Sequence, residues 1–124
     1  MATTELSIET FEPTVSGEGT VLVDFWASWC GPCMSFGPIY EAAATKNPEI
    51  TFAKVDTEEN QELAQMVGIM SIPTLMVFRD GILLYREAGA LPAAALDDLL
   101  SQVAALDMDQ IRAEIAAGAD GEVS

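Results

Sequence analysis

Two cysteines, the only ones in the chain, lie three residues apart in Trp29-Cys30-Gly31-Pro32-Cys33. The motif follows an apolar run that is typical of a buried strand and precedes a pattern that favours a helix. A thiol at a helix N-terminus faces free amide N–H groups and the positive end of the helix dipole, which lowers its pKa. We therefore expect Cys30 to attack disulfides and Cys33, one helical turn later, to expel the product. Gly31 and Pro32 suit the first turn, where proline loses no hydrogen bond.

Other roles for a Cys-x-x-Cys pair find less support in this sequence. Half of a zinc site would need two further ligands, yet the chain has no histidine and no third cysteine. Two buried structural cysteines are the second alternative, although a Gly-Pro pair at a strand-to-helix junction argues against it. A purely structural disulfide is disfavoured in a reducing compartment.

The overall charge narrows the function classes further. The 124 residues include 20 Asp and Glu against five Lys and Arg, a formal net charge of −15. A nucleic-acid binder needs clustered cations, and an anionic membrane would repel this surface, so we expect neither partner. The missing histidine also removes Cys–His and Ser–His nucleophile pairs.

The same reasoning predicts the compartment and the domain count. The N-terminus has neither a positive start nor an apolar run, so we expect no secretory signal and a cytoplasmic protein. The longest uncharged stretch, 63–78, is shorter than a membrane span and is interrupted by Gly68 and Pro73. The length fits one domain, which we place at 1–106. An acidic extension over 107–124 is predicted to form a short helix, seated by Ile111 and Ile115, and to fray from Gly118 onward.

The hydrophobic pattern predicts an α/β protein with the order βαβαβαββα and a central mixed β-sheet flanked by helices on both faces. The Asp80-Gly81 turn predicts that the last two strands form an antiparallel hairpin. Thr57 is predicted to cap the third helix. The predicted strands are 5–8, 20–26, 50–56, 74–78 and 82–85, and the predicted helices are 9–15, 30–45, 58–67 and one that begins near Pro92.

Two charged residues lie inside apolar strand patterns. Asp24 is flanked by Val23 and Phe25, and burial there would raise its pKa toward neutrality, where acid–base chemistry works best. The alternative is an exposed Asp at a strand end. Lys54 follows Phe52 and Ala53, and from the residues alone it is better explained as a solvent-facing strand lysine.

Three segments together resemble the thioredoxin family. They are Asp24-Phe25-Trp26-Ala27-Ser28-Trp29-Cys30-Gly31-Pro32-Cys33, Ala53-Lys54-Val55-Asp56 and Ser71-Ile72-Pro73-Thr74-Leu75, with Gly81 and Gly89-Ala90-Leu91 following. The resemblance covers roughly residues 5–105 and implies the thioredoxin fold. It also implies a protein-disulfide reductase in which the Cys30–Cys33 pair alternates between dithiol and disulfide.

The resemblance assigns further site residues. It makes Asp24 the buried acid that helps to deprotonate Cys33, and it places Lys54 nearby, where it modulates Asp24. It makes Pro73 a cis proline that faces the cysteines and presents the preceding backbone to an extended substrate strand. From the sequence alone Pro73 is an edge or turn proline, and ordinary core packing is the alternative role for Trp29 and Ile72. The implied docking surface consists of Trp29, Gly31, Pro32, Ile72, Pro73, Gly89 and Ala90.

The resemblance also implies partners, and the sequence departs from the family pattern at Met34. No cofactor is expected in this chain, which lacks Gly-x-Gly-x-x-Gly; a separate NADPH- and flavin-dependent thioredoxin reductase would return the electrons that disulfide-containing clients consume. We expect a monomer. Met34 stands where many thioredoxins carry Lys or Arg, so positive potential near Cys30 is reduced. The alternatives are a disulfide oxidant or isomerase, and a non-redox co-chaperone or binding module on the same fold.

Overall fold

The computed structural model describes residues 2–122, and the side chains of residues 2–118. Its elements follow the predicted order and end with the helix predicted for the extension. They are β1 (Thr3–Glu5), α1 (Ile8–Val15), β2 (Thr20–Trp26), α2 (Gly31–Lys46), β3 (Thr51–Asp56), α3 (Gln61–Met66), β4 (Thr74–Arg79), β5 (Ile82–Ala88), α4 (Ala93–Ala105) and α5 (Met108–Glu122).

The five strands form one mixed sheet in the order β1-β3-β2-β4-β5. The β1–β3 and β2–β3 pairs are parallel, whereas the β2–β4 and β4–β5 pairs are antiparallel. The predicted hairpin is confirmed: Asp80 (φ 53°) and Gly81 (φ 80°) both adopt the left-handed backbone that a two-residue hairpin turn requires. β2 therefore lies at the centre of the sheet with its C-terminal end facing α2.

Two apolar layers cover the faces of the sheet, as the alternation of side chains along a strand requires. On one face, Leu22 and Phe52 pack with aromatic and aliphatic residues of α2 and α4, including Phe36, Tyr40 and Leu96. On the other face, residues of α1 and α3 cover Val23, Phe25 and Val55, among others. Helices on both faces of a mixed sheet confirm the predicted architecture.

The predicted bounds of β1, the predicted start of α3 and the predicted Thr57 cap are wrong. β1 ends at Glu5 rather than spanning 5–8, because Ser7 already adopts the N-cap position of α1. α3 begins at Gln61, and Thr57 does not cap it: the Thr57 hydroxyl instead donates to the carbonyl oxygen of Trp26 at 3.0 Å. Asp56 accepts hydrogen bonds from the amides of Glu58 and Glu59, which holds residues 57–60 in a turn.

The C-terminal extension is more helical than predicted. α5 continues through Gly118 to Glu122, where fraying was expected; residues 123–124 lie outside the described part. Met108 is buried at the start of α5, and Arg112 reaches Asp80 in the hairpin turn at 3.6 Å. The extension thus packs at the end of the sheet that is remote from the cysteines.

Candidate active site

The cysteine pair lies at the junction of the central strand and its helix. β2 ends at Trp26, and Cys30 is the N-cap of α2, with Pro32 in the first turn. The backbone N–H of Cys33 donates to Cys30 Sγ at 3.2 Å, so an amide of the helix N-terminus points at this sulfur. The two residues form a disulfide with a Cα–Cα distance of 5.2 Å. An amide and a helix dipole directed at Cys30 favour its thiolate once the disulfide is reduced.

A small apolar layer surrounds the disulfide. Cys30 and Cys33 are 5% and 2% exposed, and they pack with Ala27, Trp26 and Ile72. The carbonyl oxygen of Ile72 lies 3.8 Å from Cys30 Sγ. Ile72 therefore lies directly beside the Cys30 sulfur at the edge of this layer.

Asp24 is buried in the middle of β2, at 1% exposure. The alternative of an exposed Asp is therefore wrong. Within residues 2–118, neither of its carboxyl oxygens has a hydrogen-bond partner. Burial raises the pKa of Asp24 to about 7, a rise that Lys54 opposes and Glu5 reinforces. A carboxyl group with this pKa exchanges a proton near neutrality, as an acid–base group must.

Lys54 lies beside Asp24 in the sheet, because the two residues are directly paired between β3 and β2. Its ammonium stands over the Trp26 ring, 4.6 Å from the ring centroid. Among the described residues, no carboxylate lies within 4.0 Å of the Lys54 ammonium. Lys54 is half-buried rather than simply solvent-facing, and its charge reaches Asp24 without a direct ion pair.

The Ile72–Pro73 bond is cis, as the resemblance to thioredoxins implies. Pro73 is buried, and its carbonyl accepts a hydrogen bond from the amide of Gly89 at 2.8 Å. This bond brings the exposed Gly89 and Ala90 next to the proline loop. Across the described chain, the backbone N–H and C=O of Ile72 pair with no other backbone group.

The rim of the site is apolar and exposed. Trp29 is 68% exposed, so the core-packing alternative is wrong for this residue, whereas Ile72 is half-buried against the cysteines. Gly31 and Pro32 are exposed beside Trp29. Met34 and Met70 expose 45% and 95% of their surface. The structure thus brings all the predicted docking residues to one end of the sheet.

Other kinds of site are not found in the described part of the chain. Residues 2–118 contain no group of three or more potential ligands that is arranged to hold a metal ion. Among the described helices, none is long and apolar enough to cross a membrane.

A cysteine pair at a strand-to-helix junction, beside the loop that holds a cis proline, defines a thiol–disulfide oxidoreductase. Comparison with known proteins specifies the family. The family model described as Thioredoxin matches residues 2–102, and the chain therefore belongs to the thioredoxin family. It is a protein-disulfide oxidoreductase that carries its reactive pair at Cys30 and Cys33.

Individual relatives agree with this assignment. A thioredoxin 2 candidate of Streptomyces coelicolor is 53% identical over 115 residues, 93% of this chain and 86% of that protein. The thioredoxin of Bacillus subtilis is 40% identical over 103 residues, 82% of this chain and 98% of that protein. The solved Plasmodium falciparum thioredoxin is 33% identical, with a TM-score of 0.73 over 80% of this chain and 97% of the other. The Streptomyces alignment leaves nine residues unmatched, so it covers at least part of α5.

Sequence reasoning did not single out two carboxylates near the site. Glu5 is directly paired with Lys54 between β1 and β3. Hydrogen bonds from Thr3 and from the amide of Ala2 lower the pKa of Glu41 on α2, and the Lys54 charge adds a smaller effect in the same direction. Neither residue belongs to a motif. Only the pairing of three strands, which no local pattern specifies, reveals their position.

Proposed function

We propose that the protein works as a reductant of disulfides in other proteins. The observation that carries this proposal is the placement of Cys30 as the N-cap of α2, with the amide of Cys33 directed at its sulfur. This placement stabilises a Cys30 thiolate, which is the nucleophile of thiol–disulfide exchange. The thioredoxin family acts on disulfide-containing clients, and the coarse substrate class follows from membership.

The reaction proceeds in two exchanges. First, the Cys30 thiolate attacks one sulfur of the client disulfide; a mixed disulfide forms and the other client sulfur leaves as a thiolate. Second, the Cys33 thiol loses its proton, and its thiolate attacks Cys30 Sγ. The client's remaining sulfur leaves, the Cys30–Cys33 disulfide forms, and the client has gained two electrons.

We assign the proton of the second exchange to Asp24. Asp24 shares the α2-facing side of the sheet with Leu22. Burial raises the pKa of Tyr40 on α2, one layer above, and the Asp24 charge adds to that rise. Cys33 is on the same helix and equally buried. With a pKa raised to about 7 by burial, Asp24 accepts a proton from a buried thiol more readily than an ordinary carboxylate would. Lys54 adjusts this basicity through its charge.

We assign client docking to the proline loop and the exposed rim. The unpaired backbone groups of Ile72 are available to an extended client segment, which would add a short strand beside the cysteines. Main-chain hydrogen bonds supply affinity without requiring one client sequence. Trp29, Gly31, Pro32, Gly89 and Ala90 supply apolar contact area around that segment.

The oxidised pair must be reduced again, and we propose that a flavin-dependent thioredoxin reductase does this with electrons from NADPH. The support is family membership, together with the lack of a dinucleotide-binding Gly-x-Gly-x-x-Gly in this sequence. We also propose a cytoplasmic location, because NADPH-linked reduction keeps thiols reduced there. Trapping the cysteines with an alkylating reagent in fractionated cells would report both the compartment and the redox state.

A coupled assay tests the proposal. NADPH, a bacterial thioredoxin reductase and a disulfide-containing protein substrate are mixed, and NADPH consumption is followed with the full-length chain present or absent. We expect consumption that saturates with this protein and that disappears in Cys30→Ser. The proposal is wrong if chemically reduced protein fails to reduce the substrate in a single turnover, whereas failure only of the coupled reaction removes the reductase assignment alone.

A further inference from the structure

Three charged residues form a row across three neighbouring strands. Glu5 of β1 is directly paired with Lys54 of β3, and Lys54 is directly paired with Asp24 of β2. Both strand pairs are parallel, and residues paired in this way direct their side chains to the same face of a sheet. With strands about 4.8 Å apart, the row places the Lys54 backbone between two acidic residues, and the Lys54 ammonium extends over the Trp26 ring.

The row lies on the face that α2 covers. Thr3, two residues before Glu5 on β1, donates its hydroxyl hydrogen to the Glu41 carboxylate of α2 at 3.0 Å. Leu22, two residues before Asp24, packs in the layer that α2 covers. Because side chains two residues apart on a strand share a face, Glu5 and Asp24 both point toward the α2 side. This is the side on which Cys33 lies.

Lys54 is the one lysine or arginine that contributes to the electrostatics of this row. The other four cations of the chain are engaged elsewhere among the described residues: Lys46 with Asp97, Arg112 with Asp80 and Asp109, Arg79 with the end of α4, and Arg86 with the end of α3. Lys54 itself stands over Trp26 without a direct ion pair. Its charge is therefore divided among several acids rather than committed to Asp24.

From this arrangement we propose that Glu5 is a positioning residue for the reaction: it competes with Asp24 for the single Lys54 ammonium and so sets how readily Asp24 takes up the proton of Cys33. The inference rests on the role proposed above for Asp24. If Asp24 alone faced Lys54, the ammonium would stabilise the ionised carboxylate more strongly. Asp24 would then be a weaker base toward Cys33.

The directions of the pKa shifts in the row agree with this proposal. Burial raises the pKa of Asp24, Lys54 opposes that rise, and Glu5 adds to it. Partial burial of its carboxyl group likewise raises the pKa of Glu5, although most of this edge-strand residue is exposed; Lys54 opposes the rise, and Asp56 and Glu59 add to it. The row itself consists of Glu5, Lys54 and Asp24. The charged and titratable groups that face it from neighbouring positions are Glu41 and Tyr40 of α2, Asp56 and Glu59.

Glu5 is well suited to a substitution test. It is exposed on an edge strand and lines an open surface groove with Leu6, Thr10 and Asn60, so replacing its carboxylate disturbs no core contact. Glu5→Gln removes the charge and preserves the shape. Glu49→Gln is the matched control, because it removes the same net charge from an exposed loop position that lies outside the row.

The direct test is a carboxyl-carbon NMR titration of Asp24 in the oxidised full-length protein. We expect Glu5→Gln to lower the pKa of Asp24 by about 1 on the pH scale: about 0.5 from the loss of a screened charge some 10 Å away, and the rest because Lys54 then acts more strongly on Asp24. Glu49→Gln should leave it unchanged, and Glu5→Asp, which retains the charge, should restore most of the original value. Equal titration curves for Glu5→Gln and Glu49→Gln would overturn the proposal.

A Lys54 variant tests whether Glu5 acts on Asp24 through Lys54. The pH dependence of the reaction rate tests whether the Asp24 pKa matters for the reaction. In Lys54→Gln, the effect of Glu5→Gln on Asp24 should shrink by at least half; an undiminished effect means that Glu5 acts on Asp24 directly, and the competition is then wrong. The midpoint of the pH–rate profile for mixed-disulfide resolution should move with the Asp24 pKa in Glu5→Gln. If Asp24→Asn leaves that profile intact, the role of Asp24 fails, whatever the titration shows.

Discussion

The two ends of the sheet differ in whether their polar groups have hydrogen-bond partners. At the end remote from the cysteines, Arg79 donates to the carbonyl oxygens of Val103 and Leu106 at 2.8 and 3.1 Å, and so satisfies the C-terminus of α4. Asp80 nearby accepts the amide of Gly19 at 2.8 Å and lies 3.6 Å from Arg112. Polar groups here are paired, as stability requires.

At the cysteine end, pairing is incomplete. Within the described side chains, both carboxyl oxygens of Asp24 and the indole nitrogen of Trp26 are buried without partners, and Trp29 exposes an apolar ring to solvent. Each of these features costs stability. This difference agrees with the roles in proton transfer and docking that we propose for Asp24 and Trp29.

The largest effects are expected at the cysteines themselves. Cys30→Ser should abolish disulfide reduction, because no other thiol begins the exchange. Cys33→Ser should still attack a client disulfide and should then accumulate the mixed disulfide, which non-reducing electrophoresis and mass spectrometry detect. Equal activity of Cys30→Ser and the parent protein would contradict the assignment of Cys30.

Asp24→Asn should make the protein more stable and less active. Because the folded protein holds the Asp24 pKa near 7, above its ordinary 3.8, ionising this carboxyl in the folded state is costly. Stability of the parent therefore decreases between pH 3.8 and 7, and Asn should raise the free energy of unfolding by up to about 4 kcal/mol above pH 7.

Chemical denaturation at several pH values checks this prediction. The advantage of Asp24→Asn should be largest near pH 8 and should vanish near pH 4, where the folded parent is already protonated at this position. Resolution of the mixed disulfide should slow by about 10²-fold at neutral pH. A stability gain that is constant across pH would show that Asp24 is not the titrating group.

Ile72→Asp tests the docking surface. A charge beside the unpaired Ile72 backbone should lower kcat/KM for a protein disulfide about tenfold, the effect of losing a single important contact. A small disulfide such as bis(2-hydroxyethyl) disulfide should react at an unchanged rate. Leu83→Asp is the matched control, since Leu83 is 45% exposed on β5 near the opposite end. Equal losses on both substrates would remove Ile72 from docking.

At the end remote from the cysteines, substitutions should lower stability without changing activity, and the change should be smaller. Arg79→Leu leaves two carbonyl groups of the α4 terminus without their donor and should lower the free energy of unfolding by about 2 kcal/mol. Turnover with protein disulfides should stay unchanged. Arg112→Gln, whose ion pairs are exposed, should leave stability nearly unaltered. A loss of turnover in Arg79→Leu would show that the two ends are coupled.

Much of the fold was predictable because its central elements carry strong local signals. The apolar run of β2, the Asp80-Gly81 turn and the Pro92 start of α4 lie where the sequence places them. The start of α3 was not predictable from Thr57, because that side chain binds the end of β2, a contact with a residue 31 positions away. The short β1 is likewise defined by its pairing with β3 and not by its own pattern.

The site residues likewise divide into those that the sequence predicts and those that only the structure reveals. Asp24 is recognisable because a carboxylate is unexpected in an apolar strand. Cys30 and Cys33 are recognisable because a cysteine pair at a helix start can carry thiol–disulfide chemistry. Trp29 required the structure, since exposure is not encoded locally. Glu5 required the register of three strands, which is a property of the whole sheet.

The midpoint potential of the Cys30–Cys33 pair tests the central claim most directly. It is measured by equilibration with glutathione while the fluorescence of Trp26 and Trp29 is followed. Thioredoxin itself is the reference reductant at about −270 mV, whereas protein disulfide isomerase lies near −180 mV and the oxidant DsbA near −120 mV. We predict a value close to that of thioredoxin. A value near either of the other two would mean that the surroundings of Cys30, with Met34 in place of a cation, favour oxidation, and the reductant assignment would be wrong.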